Sequence, residues 1–582
     1  MSATSCLATP TADAGRYTLS AASQLSIATP TSHVKVKIAK LQLDAAEYRV
    51  VGPNVYWLGL DENVVPNPSY PSKARVLEIM AVAKVMGATT IRSTSLGVSV
   101  GTGLSIENAL NTFKADTSAA WDAIDFALFA ARSYGIRLII PLTDQYDYYH
   151  GGIPTFLRWR NLSSTNYDPF YDLGSEVYQD FKSYIDHLLT HVSPYTNLTL
   201  ASDPTVLAFE TGNELGGFTG KHFPPPVAWT TSISEHLKEL APETLVVSGS
   251  YGVRKDELAI ASIDIHSDHF YPTYRSRLSS SASKAHSVNK PFLVGEFDWT
   301  NQYYERFRWG YFIVLLPALV AVAIWFLPKR WWPWSFTLRD FFSCRCCRRR
   351  KRPRRERGLD ERGPYGRMSR SDDVSLTPPP TQSEDPFAKQ DLEPSATLPV
   401  LETYPPQTAT GFRGAVTRTS VLDRTIRIRR WMFSLFVLVL ALPLFGIVYS
   451  FMPTPISPFL SSLSTLETAP MFPSRASSIG DLYWSLFGRT DSGCAFVEHN
   501  DGYTLHYPSD PTSLSGSASG SGDPVVMLTR HAWNVRQETP FWVADDARDA
   551  FDIDKLKFED LPVVAFPQRG LELANGTLVG GE

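Results

Sequence analysis

A chain of 582 residues, 43% hydrophobic and 20% charged, is long enough to bury a large core and to carry other material besides. Its formal net charge of −4 speaks against nucleic acid as the main partner. Five cysteines, with Cys344, Cys346 and Cys347 crowded together and Cys6 and Cys494 alone, exclude a disulfide framework.

Residues 1–43 are rich in Ser, Thr and Ala without periodicity and read as disordered. No basic start followed by an apolar stretch marks a signal peptide. From Asp44 strands alternate with amphipathic helices. Val55–Gly59 is predicted as the first strand and Lys73–Met86 as a helix. Thr90–Arg92 is predicted as the second strand, then Ala119–Tyr134 as a helix. Arg137–Leu142 follows as a strand and Glu176–His191 as a helix, then a strand at Val206, a helix over Val227–Leu240 and a strand over Leu245–Ser248. Ile263–Tyr271 and Pro291–Glu296 supply the sixth and seventh strands. Seven such units argue for an α/β fold with a parallel sheet closed into a (β/α)8 barrel, spanning 44–305 and still lacking a strand.

The eighth strand is expected only at 479–535, as Ser478–Phe487 with a closing helix at Asp523–Trp533. Between the two parts stand two apolar runs. The first, Gly310–Leu327 within a flanked segment 306–330, is 18 residues long, and the second, 431–452, is 22. Both suit a membrane-spanning helix. The loop 331–430 is Pro/Ser-rich and reads as disordered; over 328–430 it holds about 22 Lys/Arg against about 12 Asp/Glu. The basic flanks place the loop in the cytoplasm and both barrel parts outside, with the lipid bilayer as a partner. The sequons at Asn161, Asn197 and Asn575 all fall outside the loop. The cysteine cluster beside the first span suits S-palmitoylation, and equally an idle basic loop. Residues 453–478 read as a linker, and no structure is predicted in the tail 536–582 beyond about Thr539. The expectation is a barrel interrupted by a two-helix transmembrane insertion.

Two buried strands end in carboxylic acids: Val206–Phe209 runs into Thr211-Gly-Asn213-Glu214, and Pro291–Val294 runs into Gly295-Glu296. A pair of acids at neighbouring strand ends is what a retaining glycosidase requires, one to protonate the leaving oxygen and one to attack the anomeric carbon. Other groups compete for roles. Glu210 lies one turn from Glu214 and could be the acid, and Glu296 could be a structural ion-pair partner. His266 reads as a satisfied core histidine. Tyr146, Tyr148, Tyr149 and Trp159 could line a cleft or merely pack, and Asp144, Asp147 and His150 could imitate a metal site, which the absence of a spaced ligand cluster elsewhere disfavours. No metal or other cofactor is expected.

Thr211-Gly-Asn213-Glu214, His269-Phe-Tyr271-Pro, Gly295-Glu296-Phe and Tyr483-Trp484 together resemble glycoside hydrolase family five, closest to its fungal and plant endo-β-1,4-mannanases. The resemblance covers roughly Asp44–Trp299 and Gly480–Trp533. It implies Glu214 as acid/base and Glu296 as nucleophile, with Asn213 on the sugar 2-hydroxyl. Arg92 would keep the nucleophile ionised, Tyr271 would bond to Glu296, His269 would order the acid side, and Trp484 would be the sugar platform. The implied substrate is a β-linked polysaccharide, mannan first and β-glucan second. A silent barrel that binds wall polysaccharide and reports through the loop is the rival. The inserted loop is foreign to the family pattern.

Overall fold

Eight short buried strands make one parallel sheet: Val50–Pro53 (β1), Thr90–Arg92 (β2), Arg137–Pro141 (β3), Val206–Glu210 (β4), Leu245–Ser248 (β5), Ile265–Phe270 (β6), Phe292–Phe297 (β7) and Gly480–Tyr483 (β8). Their order is β1-β8-β7-β6-β5-β4-β3-β2. A bridge between Asn54 and Arg92, with the Val55 amide donating to the Arg92 carbonyl at 3.0 Å, joins the two ends and closes the barrel. The computed structural model describes residues 29–64, 67–217, 223–306, 453–468, 476–493, 495–507 and 523–567, with a few short stretches elsewhere.

Helices pack around the barrel at Lys73–Val85 (α1), Ala119–Ser133 (α2), Glu176–Thr190 (α3), Val227–Leu240 (α4), Arg275–His286 (α5), Ile456–Glu467 (α6) and Pro524–Arg536 (α7). Their starts follow local chemistry. The Ser72 and Ser175 hydroxyls accept from the amides of Arg75 and Tyr178, and Asp523 caps α7 ahead of Pro524. α3 buries Val177, Phe181, Tyr184, Ile185 and Leu188, the stripe that a 3.6-residue period produces.

Several sequence expectations shift. β1 lies at Val50–Pro53, not at Val55–Gly59. The later apolar run is buried beyond the strand end, where the Trp57 indole donates to the Leu486 carbonyl at 3.2 Å. Hydrophobicity marked the burial but not the pairing. α5 went unpredicted because its sequence is serine-rich and only Leu278, Ser281, Ala282 and Ala285 are buried. α6 lies inside the stretch read as a linker, yet Ile456, Phe459, Leu460 and Leu463 form a helical stripe. Residues 29–43 are not all unstructured: Lys35–Lys37, Lys40–Leu43 and Ala46–Tyr48 form an antiparallel sheet. Its Leu41, with Val34, packs on Ile139, Leu207, Ile265, Leu293 and Leu482 and plugs the barrel floor. The tail is ordered past Thr539, with Trp542, Leu556, Leu561 and Val564 buried.

The chain divides into two units, Met1–Ala318 with Val439–Glu582, which holds the barrel, and Leu319–Leu438. In the second, Phe336–Thr337 pairs antiparallel with Thr425–Ile426. Among the described residues no helix is long and apolar enough to cross a membrane. The two predicted spans and the basic loop between them lie almost wholly outside the described residues.

Candidate active site

The C-terminal ends of the strands surround a cavity of about 470 Å³, lined by Tyr56, Tyr146, Glu214, Tyr271, Glu296 and Trp484 among others. The turn after β4 carries the first carboxylate. It stays paired on both sides: the Asn213 amide donates to Thr143 at 2.8 Å and the Leu215 amide to Gly249 at 2.8 Å. Between them Glu214 adopts φ 52°, the left-handed region that non-glycine residues rarely occupy. A Cβ on Gly249 would collide with the Gly212 backbone, so these strand ends can approach only with glycine at 249.

Arg92, at the end of β2 and 1% exposed, organises the floor. Its Nε donates to Glu210 at 2.7 Å and one terminal nitrogen to Glu296 Oε1 at 2.6 Å. The same nitrogen reaches Asn54 at 3.2 Å, and the other donates to Asn213 Oδ1 at 2.7 Å. The Tyr271 hydroxyl donates to the remaining oxygen of Glu296 at 3.1 Å. Glu214 is held separately, by the Tyr146 hydroxyl at 2.7 Å and by His269 Nδ1 at 2.7 Å. His269 Nδ1 also lies 3.6 Å from Glu296. One oxygen from each of the two glutamates and a nitrogen of His269 all fall within 4.8 Å of one another.

The electrostatics of this trio order the two acids unexpectedly. Burial pushes Glu214 up, but the hydrogen bond and charge of His269, the Tyr146 hydroxyl and Arg92 outweigh it and hold the group below the usual carboxylate range. For Glu296 burial prevails, helped by the Glu214 charge, over the opposing pull of His269 and Arg92, and the group is raised. Burial depresses His269, yet both carboxylates together lift it above the ordinary imidazole value. The resemblance implies the reverse order for the acids.

Of the seven residues singled out in the sequence, Asn213, Glu214, Tyr271, Glu296 and Trp484 line this cavity, and Arg92 and His269 stand behind them, bonded to Glu296, Asn213 and Glu214. Trp484, half-buried, stacks on Tyr56 with ring centroids 5.2 Å apart and donates to Asp501 at 2.8 Å. Glu210 is Arg92's buried ion-pair partner and makes no part of the cavity lining. Tyr146, Tyr148 and Tyr149 line the cavity, whereas Trp159 packs edge-on against Phe156 at 5.5 Å. Asp144, His150 and Asp147 do not form one group: Asp144 meets His150 at 3.1 Å, and Asp147 turns to Arg158. His266 is core, but not a satisfied one, since neither ring nitrogen finds a hydrogen-bond partner. Asn54, Tyr56, Glu62, His499, Asp501 and Tyr503 were not singled out. Asn54 and Tyr56 were hidden by the misplaced first strand, and the other four sit in polar loops without periodicity.

Residues 31–289 match the family model described as GH family 5 beta-mannosidase-like. The match covers the barrel from its N-terminal sheet to the end of α5 and makes this part of the chain similar to glycoside hydrolase family 5. The chain is 28% identical over 207 residues to a putative mannan endo-1,4-beta-mannosidase 5 of Oryza sativa subsp. japonica, covering 35% of this chain and 40% of that one. It is 25% identical over 231 residues to mannan endo-1,4-beta-mannosidase 1 of Solanum lycopersicum, covering 39% and 54%. The chain thus spans about half the length, or less, of the first curated relatives it matches, at 40%, 51% and 49%. The endo-1,4-beta-mannanase structure from Rhizomucor miehei is similar at 22% identity with a TM-score of 0.40, covering 47% of this chain and 85% of that one.

Proposed function

We propose that the barrel hydrolyses a β-linked polysaccharide, β-1,4-mannan first, with retention of anomeric configuration. Its main support is the placement of two carboxylates, Glu296 buried and Glu214 partly exposed, with oxygens within 4.8 Å of each other, one on Arg92 and the other on His269. Separations near 5 Å serve a double displacement, whereas an inverting pair needs room for water between them. Glu296 attacks the anomeric carbon as the bond to the leaving oxygen breaks, and Glu214 delivers a proton to that oxygen. Glu214 then takes a proton from water, whose oxygen attacks the same carbon and frees Glu296. Arg92, 2.6 Å from Glu296, pulls the nucleophile toward its ionised form against the burial that raises it. Asn213, held by Arg92, is placed to bond the 2-hydroxyl, and the Trp484 face to carry the sugar ring.

The ordering of the acids gives His269 more than a structural part. With Glu214 held low and His269 high, His269 Nδ1 is placed to share the first-step proton with Glu214 along the 2.7 Å bond.

Mannan is favoured over β-glucan because the relatives are named as mannan endo-1,4-beta-mannosidases. Reducing-sugar release from β-mannan, β-1,4-glucan and β-1,3-glucan, by the full chain and its Glu296→Ala form, tests this. Release from mannan that the substitution abolishes is expected; no turnover on any glycan by folded protein would favour a polysaccharide-binding barrel.

A membrane anchor at 310–327 and 431–452 remains part of the proposal. Its support is sequence length and apolarity, and the exposure of Leu316, Leu319, Val320, Leu435 and Val439 in those stretches. Protease protection of the 331–430 loop in sealed vesicles is expected, and full cleavage from outside would refute the topology.

A further inference from the structure

A second trio of ionisable groups lies at the opposite end of β8, away from the cavity. Glu467 ends α6, Asp481 lies in β8 and His531 in α7, at 0%, 2% and 7% exposure. His531 Nε2 sits 2.8 Å from Asp481 Oδ2 and 3.8 Å from Glu467 Oε2. Its other ring nitrogen meets the Ser464 hydroxyl at 3.1 Å, which fixes the ring with Nε2 aimed at the two acids. Among the described residues neither carboxylate oxygen of Glu467 has a hydrogen-bond donor. The nearby cations do not supply one. Lys40 and Arg49 donate to the Glu467 main-chain carbonyl and pair with Glu47. Leaving a buried carboxylate without a donor is costly, and two adjacent ones need a shared counter-charge.

We propose that Glu467, Asp481 and His531 bind one divalent transition cation, of the zinc or manganese class, as a structural clamp. One oxygen or nitrogen from each residue lies within 4.8 Å of the other two. A tetrahedral ion with bonds of about 2.0 Å spaces its ligand atoms by about 3.3 Å, which small side-chain adjustments reach. One imidazole and two carboxylates form a nitrogen–oxygen donor set that such ions accept, with a water completing the shell. The Ser464–His531 contact is the outer hydrogen bond that metal-bound histidines usually carry. An ion here ties α6, β8 and α7 together, the three elements contributed after the inserted segment 306–452.

The rival occupant is a proton held between Glu467 and Asp481. The experiment separates the two in the full-length Glu296→Gln protein, which removes one carboxylate from the active-site trio. Protein stripped with EDTA is dialysed against ZnCl2 or MnCl2, and metal content and Tm are measured. About one equivalent bound with a raised Tm is expected. That equivalent is expected to be lost in Asp481→Asn, and affinity is expected to fall roughly 10–100-fold in Ser464→Ala. Cobalt(II) substitution of otherwise unaltered protein, read by visible absorption, gives the same answer if Asp481→Asn fails to fold. No stoichiometric metal and a Tm indifferent to it would overturn the site in favour of the proton. So would metal binding that Asp481→Asn leaves unchanged.

Discussion

The two ends of this barrel hold nearly the same three side chains and treat them differently. At the cavity, His269 and Glu296 are buried and Glu214 partly exposed, and Arg92, Tyr146, Tyr271 and His269 donate to their carboxylates. At the floor, Glu467, Asp481 and His531 have one another and Ser464, and among the described residues both oxygens of Glu467 go without a donor. A cluster of acids and a histidine therefore has no fixed meaning. What decides its chemistry is whether fixed donors and a guanidinium are built around it and whether it opens to a cavity.

The comparison breaks most violently at Arg92. Arg92→Met leaves Glu210 and Glu296 buried without their cation, which should cost about 3–5 kcal/mol of stability and abolish glycan turnover. Urea unfolding with circular dichroism checks the first part; a loss below about 1 kcal/mol would show that the pair is not the keystone.

His269→Asn is a smaller and more specific change. His269 has its pKa raised by both carboxylates, so the shared proton persists above pH 6.5 and the alkaline limb of kcat/KM should lie there. In the variant the limb reports Glu214 alone and should move to lower pH, with turnover reduced. An unmoved limb would mean that Glu214 holds the proton itself.

Much of this was legible in the sequence, for physical reasons. Buried parallel strands are apolar runs with polar ends, so the ends of β4 and β7 pointed to Glu214 and Glu296; short motifs pointed to His269 and Trp484, and Arg92 entered only as the strand-end residue that the family resemblance implies. The misplacement of β1 shows the limit of that logic, because Trp57 is as apolar and as buried as a strand residue while its backbone pairs elsewhere. α5 was invisible because a helix that buries only Leu278, Ser281, Ala282 and Ala285 needs no apolar stripe. The floor cluster could not be read at all. Glu467, Asp481 and His531 lie up to 64 residues apart with no spacing motif, and only the packing of α6 and α7 on β8 joins them.

His266, buried in β6, offers the mildest test. Burial takes its pKa down to about 3, against 6.5 in the unfolded chain. The unfolded state therefore binds the extra proton between those values, and stability should fall as pH drops through that window. His266→Leu removes this term, so the loss of Tm between pH 7 and pH 4 should be smaller in the variant. An equal loss in both proteins would assign acid sensitivity to the carboxylates alone.

The central claim is that Glu296 becomes covalently attached to sugar while Glu214 moves the proton. Trapping with a slow-turnover fluorinated mannoside, followed by intact-mass and peptide mass spectrometry, tests it most directly. A single glycosyl adduct on the peptide containing Glu296, absent from Glu296→Ala protein, is the predicted result. An adduct on another residue, or hydrolysis of mannan with no adduct and an inverted anomer, would contradict it.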